Sequence, residues 1–152
     1  MCTVTYLPVK GGFYLTTNRD EQPARGKPEW PAEYTFPFGR LSFPKDQKGK
    51  GTWIASDERM NVVCLLNGAF EPHIPKPPYR KSRGLVVLDA FSFKSFIDFN
   101  NVYDLHDIEP FTLVVVWEGS LMEFKWDGSK KYLITKPANE SKIWSSVTLY
   151  SK

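Results

Sequence analysis

The amino-acid sequence predicts an α+β domain in which most of the sheet is antiparallel. Short segments rich in Val, Thr, Ile and aromatic residues recur along the chain, and turns that contain Gly or Asn separate many of them. Hairpin connections of this kind join antiparallel strands. Helical signals are confined to one region, which has an apolar stripe from Gly84 to Phe91 and a second short segment from Ser95 to Asn101. The 152 residues suffice for a single domain with its own core, spanning residues 1–152.

The chain opens with a predicted hairpin. Residues 2–7 and 13–17 have the composition of strands, and Lys10-Gly11-Gly12 between them is a turn signal. This hairpin brings Cys2, at one far end, close to Asn18-Arg19-Asp20-Glu21 at the other. We therefore expect a thiol, a guanidinium, two carboxylates and an amide to meet at one rim of a sheet.

A proline-rich stretch from Gln22 to Lys50 follows the hairpin. It contains five prolines, and prolines at this density are expected to exclude a helix and any central strand. The sequence therefore predicts a long loop. Its aromatic residues either fasten the loop to the body of the domain or line a substrate pocket beneath a lid.

Apolar runs and alternating patterns predict the remaining strands and bring the total to about eight. Val62 to Leu66 is apolar at every position, which predicts a strand buried on both faces and places Cys64 in the core as a packed thiol. Phe111 to Trp117 gives the strongest strand signal. Four further segments have strand character: Gly51 to Ser56, Leu121 to Trp126, Lys131 to Thr135 and Ile143 to Tyr150. Of these, Leu121 to Trp126 returns from the strong strand.

Composition and charge argue against several functional classes. The net charge of +3 is mild and the basic residues are dispersed, so a nucleic-acid partner is not expected. No run of about 20 apolar residues predicts a membrane span. Two cysteines do not indicate a disulfide framework, so we expect a reduced, cytoplasmic setting. His73 and His106 lack the spacing of metal ligands, and no cofactor is expected.

The first hairpin has a specific chemical interpretation. If Met1 is removed, which the small second residue favours, Cys2 carries a free α-amine beside its thiol. An α-amine has a pKa of about 8 and can act as a base near neutral pH, and a nucleophile activated in this way performs acyl transfer. Arg19 would lower the pKa of the thiol and Asp20 would orient the amine. The competing interpretation is a chance cysteine next to a solvated turn.

Several short motifs carry a resemblance to a known family. They are Met1-Cys2-Thr3, Asn18-Arg19-Asp20-Glu21, Gly51-Thr52-Trp53, Leu66-Asn67, Ser82-Arg83-Gly84 and Trp144-Ser145-Ser146. In this order they resemble the NRDE family, whose eukaryotic members are called transport and Golgi organisation protein 2. That family looks like an offshoot of the N-terminal nucleophile (Ntn) hydrolases, so the resemblance implies a four-layer αββα sandwich. The chain stops at Lys152, whereas members of the family usually continue, and a natural short form and a fragment both fit this.

The resemblance also bears on individual residues. Asn67 follows a buried strand, where it is either a turn residue or, as the resemblance implies, an amide donor to a developing oxyanion. Asn18 and Glu21 would shape the rim and contact substrate. Independently of the resemblance, Arg80 and Arg83 lie in a local basic cluster. Either one binds a substrate carboxylate or phosphate, or both are solvated residues at a helix start, and Arg83 is retained as the substrate-binding candidate.

Two functions follow as expectations. The first is a cysteine Ntn hydrolase that cleaves non-peptide carbon–nitrogen amide bonds, with Cys2 as the nucleophile. The second is a non-enzymatic protein on the same scaffold that binds or carries a lipid, an acyl-coenzyme A or a haem. The family has no settled enzymatic activity, and its members have been linked to lipid, coenzyme A and haem homeostasis. In both cases the partner is a small amide or a lipid-like ligand.

Overall fold

A computed structural model describes residues 2–18 and 26–147. Within these ranges the chain forms ten strands and two helices. They are β1 (Thr3–Val9), β2 (Gly12–Thr17), β3 (Ala32–Phe36), β4 (Gly39–Phe43), β5 (Ile54–Asp57), β6 (Val62–Asn67), α1 (Arg83–Ala90), α2 (Phe96–Val102), β7 (Phe111–Trp117), β8 (Ser120–Trp126), β9 (Lys131–Lys136) and β10 (Lys142–Ser145).

The larger sheet has seven strands in the order β3-β4-β5-β6-β7-β8-β9. Every neighbouring pair is antiparallel, because each strand returns from the one before it. The two most apolar strands, β6 and β7, are adjacent in the interior of this sheet, and all seven residues of β7 are buried. This confirms the prediction that the strand Val62 to Leu66 is covered on both faces, and it shows that β7 is covered in the same way.

The smaller sheet has three strands in the order β10-β1-β2. The predicted first hairpin is present, with Val4 opposite Thr17. The late strand β10 pairs with the other edge of β1 and places Ser145 opposite Thr3. The start of β1 is therefore flanked by the end of β2 on one side and the end of β10 on the other.

Two cores define the layers of the domain. Alternate residues of β6 point to opposite faces: Val63 and Leu65 pack with the helices, whereas Cys64 and Leu66 pack against β1 residues such as Val4. The order is thus helices, larger sheet, smaller sheet. The predicted α+β class with mostly antiparallel sheets is confirmed. The described residues form three layers, where the αββα arrangement has four.

Two side-chain hydrogen bonds tie β1 and β10 to the rest of the domain. The Tyr6 hydroxyl donates to the Ala138 carbonyl at 2.9 Å. The Trp144 indole Nε1 donates to Glu123 Oε2 on β8 at 2.6 Å. These bonds satisfy polar groups that would otherwise be costly beneath the smaller sheet.

The prediction of a strandless loop from Gln22 to Lys50 is wrong. This stretch contains the hairpin β3–β4, and β4 is an interior strand of the larger sheet. The prolines accommodate it by position: Pro31 precedes β3, Pro37 lies in the turn and Pro44 follows β4. None of these prolines therefore removes a ladder hydrogen bond.

Other element boundaries differ by smaller amounts. Both helices lie within a residue of the predicted segments. The predicted strand Gly51 to Ser56 begins only at Ile54, because Gly51 and Thr52 contact helix α1 instead. The predicted strand Ile143 to Tyr150 is observed as β10, and residues 148–150 lie outside the described part. No helix in that part is long and apolar enough to span a membrane.

Candidate active site

A cavity of about 320 Å³ lies where the start of β1, the end of β6 and the start of α1 converge. Three of the residues that the sequence singled out, Cys2, Asn67 and Arg83, line it together. They are separated by 65 and 16 positions in the chain, so the fold brings them into one site. Trp53 and Tyr79 supply aromatic surface to its wall.

Cys2 is partly buried and packs against the core between the sheets. Residue 146 holds its backbone at two points. The Ser146 backbone N–H donates to the Cys2 carbonyl at 2.9 Å, and the Cys2 nitrogen donates to Ser146 Oγ at 3.4 Å. The position of the nitrogen of residue 2 is thus fixed by β10.

Asn18 holds the same end of β1 from the opposite side. Its Oδ1 accepts hydrogen bonds from the Thr3 backbone nitrogen at 2.7 Å and from Thr3 Oγ1 at 2.6 Å. Its own backbone nitrogen donates to the Thr3 carbonyl at 3.3 Å. The end of β2 is therefore joined to the start of β1 through Asn18 and Thr3, the residue that follows Cys2.

Asn67 is the last residue of β6, opposite Phe111 on β7, and is half-buried at the cavity wall. In the described part of the chain, no hydrogen-bond partner is found for its side-chain amide. A half-buried amide beside a cavity retains its N–H donors for a ligand. This arrangement is compatible with the predicted oxyanion donor.

A close approach of two glycines forms one wall of the cavity. The Thr52 nitrogen donates to the Gly84 carbonyl at 3.1 Å, and a Cβ on Gly51 would lie only 2.3 Å from the Gly84 carbonyl carbon. This contact explains why glycine occupies one position in each of two short motifs, Gly51-Thr52-Trp53 and Ser82-Arg83-Gly84. Nothing in the sequence indicated that they contact one another.

Arg83 is held in an ion-pair network at the cavity wall. Its guanidinium lies 3.0 Å from Glu109 Oε2 and donates to the Pro110 carbonyl at 3.1 Å. Glu109 Oε1 in turn lies 3.0 Å from His73 Nε2. All three side chains are largely buried. Glu109, which the sequence analysis did not single out, therefore positions Arg83 at the site.

The two cysteines differ sharply in environment. Cys64 is fully buried between the sheets, and burial raises the pKa of its thiol to about 12. Cys2 lies at the cavity. A thiol whose pKa is that high is almost entirely protonated at neutral pH and does not act as a nucleophile. The prediction that Cys64 is a core thiol is confirmed.

Three residues of the predicted site, Arg19, Asp20 and Glu21, lie outside the described residues, and their roles stay predictions. Among the residues that are described, no group of three or more His, Cys, Asp or Glu side chains forms a potential metal site. The described lining of the cavity includes the Cys2 thiol, the Asn67 amide and the Arg83–Glu109 ion pair.

Comparisons with known proteins give one match. The sequence model of the family described as Transport and Golgi organisation 2 matches residues 1–151. No curated protein and no solved structure matches the chain.

Proposed function

The chain belongs to the Transport and Golgi organisation 2 family, and on this premise we propose that it is a cysteine N-terminal nucleophile hydrolase of non-peptide carbon–nitrogen amide bonds. One observation supports this most directly: Cys2, which precedes β1 of the smaller sheet, and Asn67, which ends β6 of the larger sheet, line the same cavity. A nucleophile and a hydrogen-bond donor on two sides of one cavity are the minimum that acyl transfer requires.

The proposed reaction begins once Met1 has been removed. Cys2 Sγ attacks the amide carbonyl carbon, and the thiol proton passes to the Cys2 α-amine. The resulting tetrahedral oxyanion accepts a hydrogen bond from the Asn67 amide, a donor of the type worth about 3–4 kcal/mol in the transition state. The carbon–nitrogen bond then breaks, and the ammonium returns its proton to the leaving nitrogen. The products of this half are a free amine and a thioester on Cys2.

Water completes the cycle. It adds to the thioester carbonyl and gives a proton to the Cys2 α-amine. The carbon–sulfur bond breaks, a carboxylic acid leaves, and the proton returns to the sulfur. The same amine thus acts as base and acid in each half, and the reaction consumes only water.

The remaining residues are assigned supporting roles. From the sequence, Arg19 is assigned to favour the thiolate, Asp20 to orient the amine, and Glu21 to shape the rim. Asn18 orients β1 through Thr3, and its contact with substrate stays a prediction. Arg83, fixed by Glu109, presents a donor to a polar group of the substrate.

The size of the cavity sets the class of substrate. A volume of about 320 Å³ lies at the small end of the range of about 300–1,000 Å³ found for small-molecule sites. A small acyl amide fits such a cavity better than a peptide. We further propose a cytoplasmic setting, since a reactive thiol persists in a reducing compartment.

Ligand binding without chemistry is the second candidate. Trp53, Leu65 and Tyr79 give the cavity an apolar portion beside its polar groups, which suits one end of a lipid-like or acyl group. This alternative requires no reaction at Cys2, so covalent chemistry separates the two.

The test is a panel of acyl amides with chromogenic amine leaving groups, assayed with the full-length protein. The proposal predicts release of amine with a transient acyl adduct on Cys2 in the intact mass. Cys2→Ala should abolish release, Asn67→Ala should lower kcat by about a hundredfold, and the matched control Cys64→Ala should retain activity. Release that survives Cys2→Ala would refute the proposed nucleophile. If the Cys2→Ala protein binds the acyl amides and the wild-type protein binds them without releasing amine, the non-enzymatic carrier is favoured.

A further inference from the structure

We propose that Ser146 is a positioning residue for the Cys2 α-amine, in addition to the role assigned to Asp20, and this assignment rests on the proposed function. Its hydroxyl oxygen is the acceptor for the nitrogen of residue 2, at 3.4 Å. In an N-terminal nucleophile this nitrogen is the base, so the group that holds it controls proton transfer to and from the thiol.

Ser146 is itself rigidly placed. It is only 2% exposed, and it directly follows β10, whose residue Ser145 is paired with Thr3. Its backbone N–H continues the ladder by donating to the Cys2 carbonyl at 2.9 Å. Because the backbone of Cys2 is held by this bond, removal of Met1 should leave the nitrogen within reach of Ser146 Oγ.

The contact with Ser146 would control the orientation and the protonation of a free α-amine. A neutral α-amine has two N–H bonds and one lone pair, and it rotates about its bond to Cα. Only the orientation that directs the lone pair at Sγ can accept the thiol proton. An acceptor that holds one N–H bond restricts this rotation. It also stabilises the ammonium form, which raises the pKa of the amine.

The position of Ser146 in the chain explains a motif that the proposed mechanism left without a role. The motif Trp144-Ser145-Ser146 covers the end of β10 and the residue after it: Trp144 packs on the core between the sheets, Ser145 is paired with Thr3, and Ser146 follows the strand. The two serines are thus neighbours in sequence with different surroundings. Ser145 is therefore a natural control for Ser146.

The test follows the amine and the thiol directly, without a substrate. Full-length protein is treated with methionine aminopeptidase until intact mass shows Cys2 as the first residue, in a Cys64→Ala background that leaves one cysteine. ¹⁵N-labelled cysteine then reports the titration of the α-amine by NMR, and iodoacetamide reports the reactivity of the thiol across pH 5–10, a range chosen to bracket the amine pKa of about 8.

Ser146→Ala should lower the pKa of the amine by about half a unit or more and slow alkylation near neutral pH about fivefold, because the ammonium–thiolate pair loses an acceptor. Ser146→Thr should restore both values and Ser145→Ala should change neither. Ser146→Thr and Ser146→Val form an isosteric pair that repeats the comparison if the alanine variant does not fold.

An unchanged titration and an unchanged alkylation profile in a folded Ser146→Ala or Ser146→Val protein would overturn the assignment. Failure of the proposed function has a different signature. In that case no amide is hydrolysed by any variant, while the titration still differs between the threonine and valine proteins.

Discussion

Replacement of Gly51 by alanine tests whether the cavity wall depends on the close approach of two backbones. A Cβ at this position would lie 2.3 Å from the Gly84 carbonyl carbon and 2.6 Å from the Leu85 nitrogen, where ordinary contact begins at 3.4 Å. Backbone atoms cannot rotate away, so α1 must move by about 1 Å. Overpacking of this kind costs about 1–3 kcal/mol, and loss of the hydrogen bond from Thr52 to Gly84 costs about 1 kcal/mol more. We therefore expect Gly51→Ala to lower the free energy of unfolding by about 3 kcal/mol.

Two further glycine variants turn this expectation into a ranking. A Cβ on Gly84 would meet the Thr52 nitrogen at 3.0 Å, a milder overlap. The higher helix propensity of alanine offsets it by up to about 1 kcal/mol. A Cβ on Gly12 would meet nothing within 4 Å. Urea unfolding should thus rank the losses Gly51→Ala, Gly84→Ala, Gly12→Ala from largest to smallest. A Gly51→Ala protein as stable as Gly12→Ala would refute the packing argument.

Three other substitutions test separate features of the fold. Trp117 and Trp126 are equally buried, but in the described residues only the Trp126 indole N–H has an acceptor, at 2.8 Å. Trp126→Phe should therefore cost at least about 1 kcal/mol more than Trp117→Phe in urea unfolding, and equal costs would contradict this. Lys131 donates to two carbonyls at the C-terminal end of α2, those of Asn100 and the C-cap residue Tyr103, each at 2.6 Å. Lys131→Met should therefore cost about 2 kcal/mol, and a loss no larger than that for an exposed lysine would argue against a capping role. For Cys64, burial raises the pKa from 9.0 to about 12. The folded state therefore retains a proton that the unfolded state loses, and stability should fall by about 1.4 kcal/mol per pH unit between these values. Cys64→Val should remove this loss, and identical alkaline unfolding of both proteins would refute it.

The parts of the fold that follow local rules could be predicted from the sequence. Val62 to Leu66 is apolar at every position, and Phe111 to Trp117 is apolar at every position except Thr112. Such runs suit a strand that is covered on both faces. Helix α1 has an apolar stripe of its own. These elements owe their structure to residues within each segment, so they did not require knowledge of the rest of the chain.

The parts of the fold and of the candidate site that the sequence did not predict depend on contacts between distant segments. Prolines were expected to prevent strands in residues 22–50, but three of them lie just before, between and just after β3 and β4, where no ladder hydrogen bond is lost. The contact of Gly51 with Gly84 and the pairing of Glu109 with Arg83 have no local signature either. The candidate site was predictable at Cys2 and Asn67 because of residue type and the resemblance, whereas Ser146 became visible only through the pairing of β10 with β1.

The most direct test of the account is the intact mass of the purified protein, before and after brief treatment with iodoacetamide, with the labelled peptide mapped. The account predicts a mass that lacks Met1, together with labelling at Cys2 that is fast, dependent on pH near neutrality and far ahead of labelling at Cys64. A retained Met1, or a Cys2 that reacts no faster than a cysteine in a short unfolded peptide, would contradict a nucleophile activated by its own amine.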